Sequence, residues 1–166
     1  MSQSEADRHA ADAIVDHHAR LADALTAHAG LIRDSANGED ETQLWQRRDA
    51  LLAWLHAELL PHAHAEEAAL YPAAANQPGG RALIDGMIAE HQAITALVTE
   101  LTAATTPVDA AAAARALSAL FAVHLAKEND LVVPLVMAGE DVSLAGLLEG
   151  MHELIGASHP HTAGTA

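Results

Sequence analysis

The side chains best suited to chemistry are imidazoles and carboxylates that recur at one spacing. His62 and Glu66 stand four residues apart, and so do His124 and Glu128. Residues four apart share one face of an α-helix, so each pair presents an imidazole and a carboxylate side by side. Both pairs sit inside apolar stripes: Leu52, Leu55, Leu59, His62, Glu66, Leu70 in one, and Leu117, Phe121, His124, Glu128, Leu131, Leu135 in the other. Groups in such a stripe face a core rather than water. His18 lies in a similar stripe with Ile14, Leu21 and Leu25, and His91 in one with Met87, Ile94, Val98 and Leu101. Two carboxylates buried without a cation are costly. With four imidazoles beside them, His18, His62, Glu66, His91, His124 and Glu128 read as the ligands of a metal centre.

The donor set narrows the metal. Imidazole suits zinc, iron, copper and nickel, and carboxylate adds hardness. Zinc usually closes a four-ligand site. Six donors, two of them carboxylates able to bridge, suit two ions better than one, and inward Glu and His residues on packed helices are a home for di-iron and di-manganese centres. The expectation is two iron ions, with zinc or manganese behind them and coordination positions left for solvent or a small oxidant. His17, His56 and Glu58 are further candidate ligands: His17 adjoins His18, and Glu58 precedes His62 by four residues. His18 is preferred to His17 because its apolar surround matches that of His91. Glu67 and Asp16 are candidate acceptors for the outer nitrogens of the ligand rings. His9, His28, His64 and His152 read as surface or near-surface residues, His159 and His161 as a weak metal binder in the tail, and Trp45, Trp54 and Phe121 as core.

These groups need long helices to hold them. Alanine and leucine dominate, so an all-α fold is expected. The first helix is predicted from Ala6 to the region of Gly30–Gly38, the second from Thr42 to Tyr71 or beyond, and the third from Arg81 to Thr105. Asn37-Gly38 and Asn76–Gly80 are the breakers. Thr106-Pro107-Val108-Asp109 signals the start of a fourth helix, with N-cap, first-turn proline and acid in order, running to about Val133. A shorter fifth helix is expected over Ser143–Ile155. The chain also repeats itself. A shift of 62 residues lays His62, Glu66 and Pro72 on His124, Glu128 and Pro134, and a shift of 73 lays His18 on His91. Two equivalent hairpins predict an up-and-down antiparallel four-helix bundle with a short extra C-terminal helix and its polar site on a pseudo-twofold axis. The expected organisation is one domain over residues 1–156 and a flexible tail over 157–166.

Charge and composition exclude other chemistry. The net charge is −15, with 23 acids against 8 bases, so nucleic acid would be repelled. No cysteine is present, which removes disulfides, thiolate metal sites and thiol catalysis. The first residues are polar, and no apolar run comes near the ~20 residues of a membrane span. A cytoplasmic protein without a membrane partner is expected.

Taken together, Asp16-His17-His18, His62-x-x-x-Glu66-Glu67 with Leu70-Tyr71-Pro72, Glu90-His91, and His124-x-x-x-Glu128 with Pro134 resemble the hemerythrin-like (HHE cation-binding) family over residues from about 10 to 136. The resemblance implies a four-helix bundle and an oxo- or hydroxo-bridged di-iron centre. It also implies binding of, or reaction with, O2, hydrogen peroxide or nitric oxide, including a peroxide- or NO-reducing activity fed by an unidentified electron donor. Carrier, iron-binding or redox-sensing roles are the non-enzymatic alternative, and a structural zinc site is a third. The six residues named above fall on the family's ligand positions. The oxygen carriers place a second histidine one turn after the helix-three ligand, where this chain has Thr95. Their last carboxylate comes five residues after the helix-four histidine, where this chain has Asn129. A more open iron is thereby implied, which favours peroxide or NO chemistry over oxygen carriage.

Overall fold

Long alanine- and leucine-rich stretches form helix most readily, and the computed structural model, which describes residues 3–38, 40–139 and 141–158, shows only helices joined by turns among those residues. Helix α1 spans Gln3–Ala36. It passes straight through Gly30, which lies in open space, and ends only at the breaker Asn37-Gly38. Asp40 caps the next helix by accepting from the Gln43 backbone N–H at 3.1 Å.

The second helical run is not the uninterrupted α-helix expected. It comprises α2 (Glu41–Trp54), a π turn (Leu55–Leu59), α3 (Leu60–Ala65), a second π turn (Glu66–Leu70) and α4 (Tyr71–Ala75). After α5 (Gly80–Ala103), the next run comprises α6 (Pro107–Lys127), a π turn (Glu128–Val132) and α7 (Val133–Met137), and α8 follows at Leu144–Ser158. In each π turn one N–H reaches back five residues: Leu60 to Leu55, Tyr71 to Glu66, and Val133 to Glu128. The residue that follows is a proline each time, Pro61, Pro72 or Pro134. Proline has no N–H, and its ring displaces the carbonyl four residues back. One extra residue in the turn accommodates that displacement.

The extra residue rotates everything beyond it. The expected stripe continued from Glu128 to Leu131 and Leu135. In the structure it continues to Val132 and Val136, both fully buried, while Leu131 is 49% exposed. The same four-residue step carries the inward face from Glu66 to Leu70 and Ala74.

The connections are tight. Gly79 adopts φ 81°, a left-handed conformation. A Cβ on Gly80 would lie 1.9 Å from the Ala74 carbonyl oxygen, so α4 and α5 can approach only across a glycine. Thr106 caps α6 by accepting from the Asp109 N–H at 3.1 Å, and the Thr106 hydroxyl donates to the Asp109 carboxylate at 2.6 Å. Such a cap contributes about 1 kcal/mol.

Helix α1 packs on α2, α6 and α8, and α5 packs on α4 and α6. Two apolar cores result. One gathers Leu25, Leu44, Leu55, Val98 and Leu117, and the other Ile14, Tyr71, Met87, Val136 and Met151. The six candidate ligands lie between these cores, on α1, the α2–α4 run, α5 and the α6–α7 run. Helix α8 is part of the second core, with Leu144 and Met151 buried. Its start is tied to α1, where one Asp7 carboxylate oxygen accepts from the Ser143 hydroxyl (3.1 Å) and the Ala145 N–H (3.0 Å). It reaches Ser158, past the residue where the tail was expected to begin, and 159–166, with His159 and His161, lie outside the described residues. The expectation about apolar runs also needs correction. Pro107–Met137 is long and apolar enough, by length and composition, to cross a membrane. Here it is a core helix whose inward face includes His124 and Glu128.

Candidate metal centre

All six expected side chains converge, and none is more than 6% exposed. The packing that places them is local to each helix: apolar neighbours such as Ile14 and Leu21 around His18, Leu59 before His62, Leu70 after Glu66, Met87 and Ile94 around His91, Phe121 before His124 and Val132 after Glu128 are anchored in the two cores, which leaves the ligands in one polar layer. His18, His62 and Glu66 bring one nitrogen or oxygen each within 4.8 Å of one another, and so do Glu66, His91 and His124. Glu66 belongs to both groups. Its Oε1 is 3.2 Å from His18 Nε2 and 2.7 Å from His62 Nε2, and its Oε2 is 3.7 Å from His91 Nε2. Glu128 Oε2 lies between the groups, 3.4 Å from His124 Nε2 and 3.8 Å from His18 Nε2. Glu66 and Glu128 are also the first residues of two π turns, so the widened turns set the height and direction of both carboxylates.

Outer nitrogens fix three of the rings. His18 Nδ1 donates to Asn129 Oδ1 (2.6 Å), His91 Nδ1 to Glu67 Oε1 (2.7 Å) and His124 Nδ1 to Glu90 Oε2 (3.1 Å). Lys127 pairs in turn with Glu90. With Nδ1 held as the donor, each ring turns Nε2 inward; His91 Nε2 and His124 Nε2 approach to 3.1 Å. The Tyr71 hydroxyl donates to His91 Nε2 at 3.4 Å.

The electrostatics are those of a site that wants a cation. Burial lowers the pKa of His18, but the hydrogen bond and charge of Glu66, then the charge of Glu128, outweigh it and hold the ring above its ordinary value. For His124 burial is likewise outweighed, by Glu128 and Glu66. Burial raises the Glu66 carboxyl, yet His62 and His18 hold it well below its ordinary value. Glu90 is lowered despite burial by Lys127 and His124. Burial and then the Glu128 and Glu66 charges push the Tyr71 phenol far up, so it stays protonated. Protons on the imidazoles thus offset the buried carboxylates, and a metal ion would displace them. His62 Nε2 and both Glu128 oxygens nevertheless have no aligned hydrogen-bond partner. An orphaned buried polar atom costs about 1–3 kcal/mol, more when charged. Three such atoms within one buried cluster of ligand groups fit bound cations.

The remaining candidates separate. His17 is half-buried beside the cluster, its ring centre 4.8 Å from that of His62, and burial, His62 and His18 lower its pKa to about 4. His56 and Glu58 are exposed on the outer face of the first π turn and do not join the cluster. Asp16 is exposed as well, so only Glu67 of the two expected acceptors meets a ligand ring. Thr95 is exposed and spends its hydroxyl on its own helix, donating to the His91 carbonyl at 2.9 Å. His64 is a surface residue, its Nδ1 donating to the Leu60 carbonyl at 2.8 Å, and His9 and His152 are exposed too. Sequence reasoning missed Asn129, Glu90, Lys127 and Tyr71 as partners. A signal was present, since Glu67, Asn129 and Glu90 each adjoin a ligand in sequence, but each serves a ligand on a different helix.

The description "Hemerythrin HHE cation binding domain" belongs to a family model that matches residues 9–136. No curated protein and no solved structure matches the chain significantly.

Proposed function

The chain belongs to the hemerythrin HHE cation-binding family, and on that premise we propose that it is a non-haem di-iron protein that binds or reacts with O2, hydrogen peroxide or nitric oxide. The frame would be an up-and-down four-helix bundle made of α1, the α2–α4 run, α5 and the α6–α7 run. The observation that carries the reading is that Glu66 is shared by two buried three-donor groups. His18, His62 and Glu66 would hold one ion, and His91, His124 and Glu66 the other, with Glu128 between His18 and His124 as the second shared carboxylate.

When bound, a pair of iron ions supplies electrons to a small oxidant and recovers them from a donor. The protein's own groups do the rest. Asn129, Glu67 and Glu90 hold three imidazoles with Nε2 inward. The apolar cores on either side exclude bulk water. Tyr71 keeps its proton at the buried hydroxyl beside His91, where it is available to a ligand as a hydrogen-bond donor. His17, beside His62, offers a further donor in the half of the centre opposite Thr95, which follows His91 by one turn on α5.

The test is to express the chain with iron, purify it in air, and measure metal content together with the near-ultraviolet and visible spectrum. About two irons per chain with ferric charge-transfer bands are expected. One zinc per chain, or no metal in folded protein, overturns the reading. Steady-state consumption of peroxide then separates a catalytic centre from a carrier or sensor.

A further inference from the structure

Between α1 and α8 lies a cavity of about 310 Å³ that reaches down to His18, His62 and Glu66. Its size exceeds what a diatomic gas or peroxide requires: a water molecule's share of liquid volume is about 30 Å³, whereas pockets for organic ligands begin at about 300 Å³. Its walls are apolar, formed by Ile14 on α1, Leu70 on the second π turn, and Leu148 and Met151 on α8. Helix α8 lies beyond the residues matched to the family, 9–136.

The rim has the opposite character. Arg20 and His152 line the cavity and are both exposed. The Arg20 guanidinium makes no hydrogen bond or ion pair with another described residue, whereas Arg33, Arg48, Arg81 and Lys127 are each paired with a carboxylate. The one carboxylate among the lining residues is Glu66, at the floor and already engaged by His18 and His62. An apolar interior behind an unpaired cation selects a ligand with an apolar body and a single anionic head, held at Arg20 against the chain's overall negative charge.

We propose that this cavity binds a medium-chain aliphatic monocarboxylate, with the chain between α1 and α8 and the carboxylate at Arg20. The site stands whichever metal occupies the centre beneath it. Its contents would decide what can reach His18 and His62 from that side.

The experiment is calorimetric titration of octanoate into the full chain as purified, with metal content recorded on the same samples. Saturable binding of one octanoate per chain is expected, with octylamine excluded. Arg20→Glu, at an exposed position, is expected to weaken octanoate by roughly tenfold or more and to admit octylamine. Leu148→Trp, which fills the cavity, is expected to abolish binding, while Val108→Trp, at a position 73% exposed and not among the cavity's lining residues, leaves it unchanged. Thermal melts establish that each variant is folded. No saturable binding, equal binding of octanoate and octylamine, or indifference to Arg20→Glu overturns the proposal. Iron without octanoate binding sinks this site and leaves the di-iron reading standing, and octanoate binding without iron does the reverse.

Discussion

The two halves of the candidate centre are built on one plan and supported differently. The shifts of 62 and 73 residues that superpose the ligands also superpose their partners. Asn129 under His18 corresponds to Glu67 under His91, and His17 beside His62 corresponds to Glu90 under His124. One half therefore rests its imidazoles on two carboxylates, one of them backed by Lys127. The other half has an amide and a neutral imidazole in those places, and it faces the cavity beneath α8. A carboxylate partner makes an imidazole a stronger ligand than an amide does. Duplication fixed where the ligands stand, and the differences lie in the groups behind them.

The comparison can be broken most forcefully at the residue both halves share. Glu66→Gln is expected to empty the site. Partners behind metal ligands are worth about 10–100-fold in affinity, and a ligand common to both groups is worth more, so metal analysis should find less than one ion per chain. Retention of two ions would mean that Glu66 does not bridge the halves.

The second test sets the halves against each other. Glu67→Gln is expected to weaken metal binding by about 10–100-fold, and Asn129→Ala by only a few-fold, measured by competition with a chelator. Equal losses would mean that the carboxylate support makes no difference.

A pH profile is expected to show a smaller effect. In the metal-free chain, His17 is held down to about 4, so the unfolded chain binds its proton more readily and stability rises with pH from about 4 to 6.5. His18 and His124 are held above their ordinary 6.5. Their stabilisation is complete below that value and is lost as pH rises through the raised values. Melting temperature should therefore peak near pH 6.5 without metal. With metal bound the limb above 6.5 should flatten or reverse, because ligation requires the protons to leave. His17→Ala should remove the acid limb alone.

The smallest expected effect comes from the turn beneath one bridging carboxylate. Pro134 is exposed, and Pro134→Ala restores a backbone N–H. The melting temperature of the metal-free chain should rise slightly, while metal affinity falls as the π turn at Glu128 relaxes toward an α-helix. A variant that binds metal as well as the parent would show that the wide turn is incidental to the site.

Much of this was legible from spacing. The i, i+4 pairs, the apolar stripes around His18 and His91, and the breakers at Asn37-Gly38 and Asn76–Gly80 follow from helical geometry, which any short window of sequence reports. The choice of His18 over His17 for the buried position followed from comparing its neighbours with those of His91. The π turns were not read, although a proline in the sixth position after Leu55, Glu66 and Glu128 announced each of them. Periodicity assumes a constant number of residues per turn, so Leu131 and Leu135 were placed inward where Val132 and Val136 lie.

The sequence by itself determined the all-helical fold and the six residues that would meet, because both depend on local periodicity and on an internal repeat. Only the tertiary structure decided which carboxylate or amide stands behind each imidazole, that His56 and Glu58 stay outside, and that α8 roofs one half over a cavity. Those outcomes depend on how helices rotate and dock against one another. A single widened turn redirects every side chain beyond it, and no one segment contains that information.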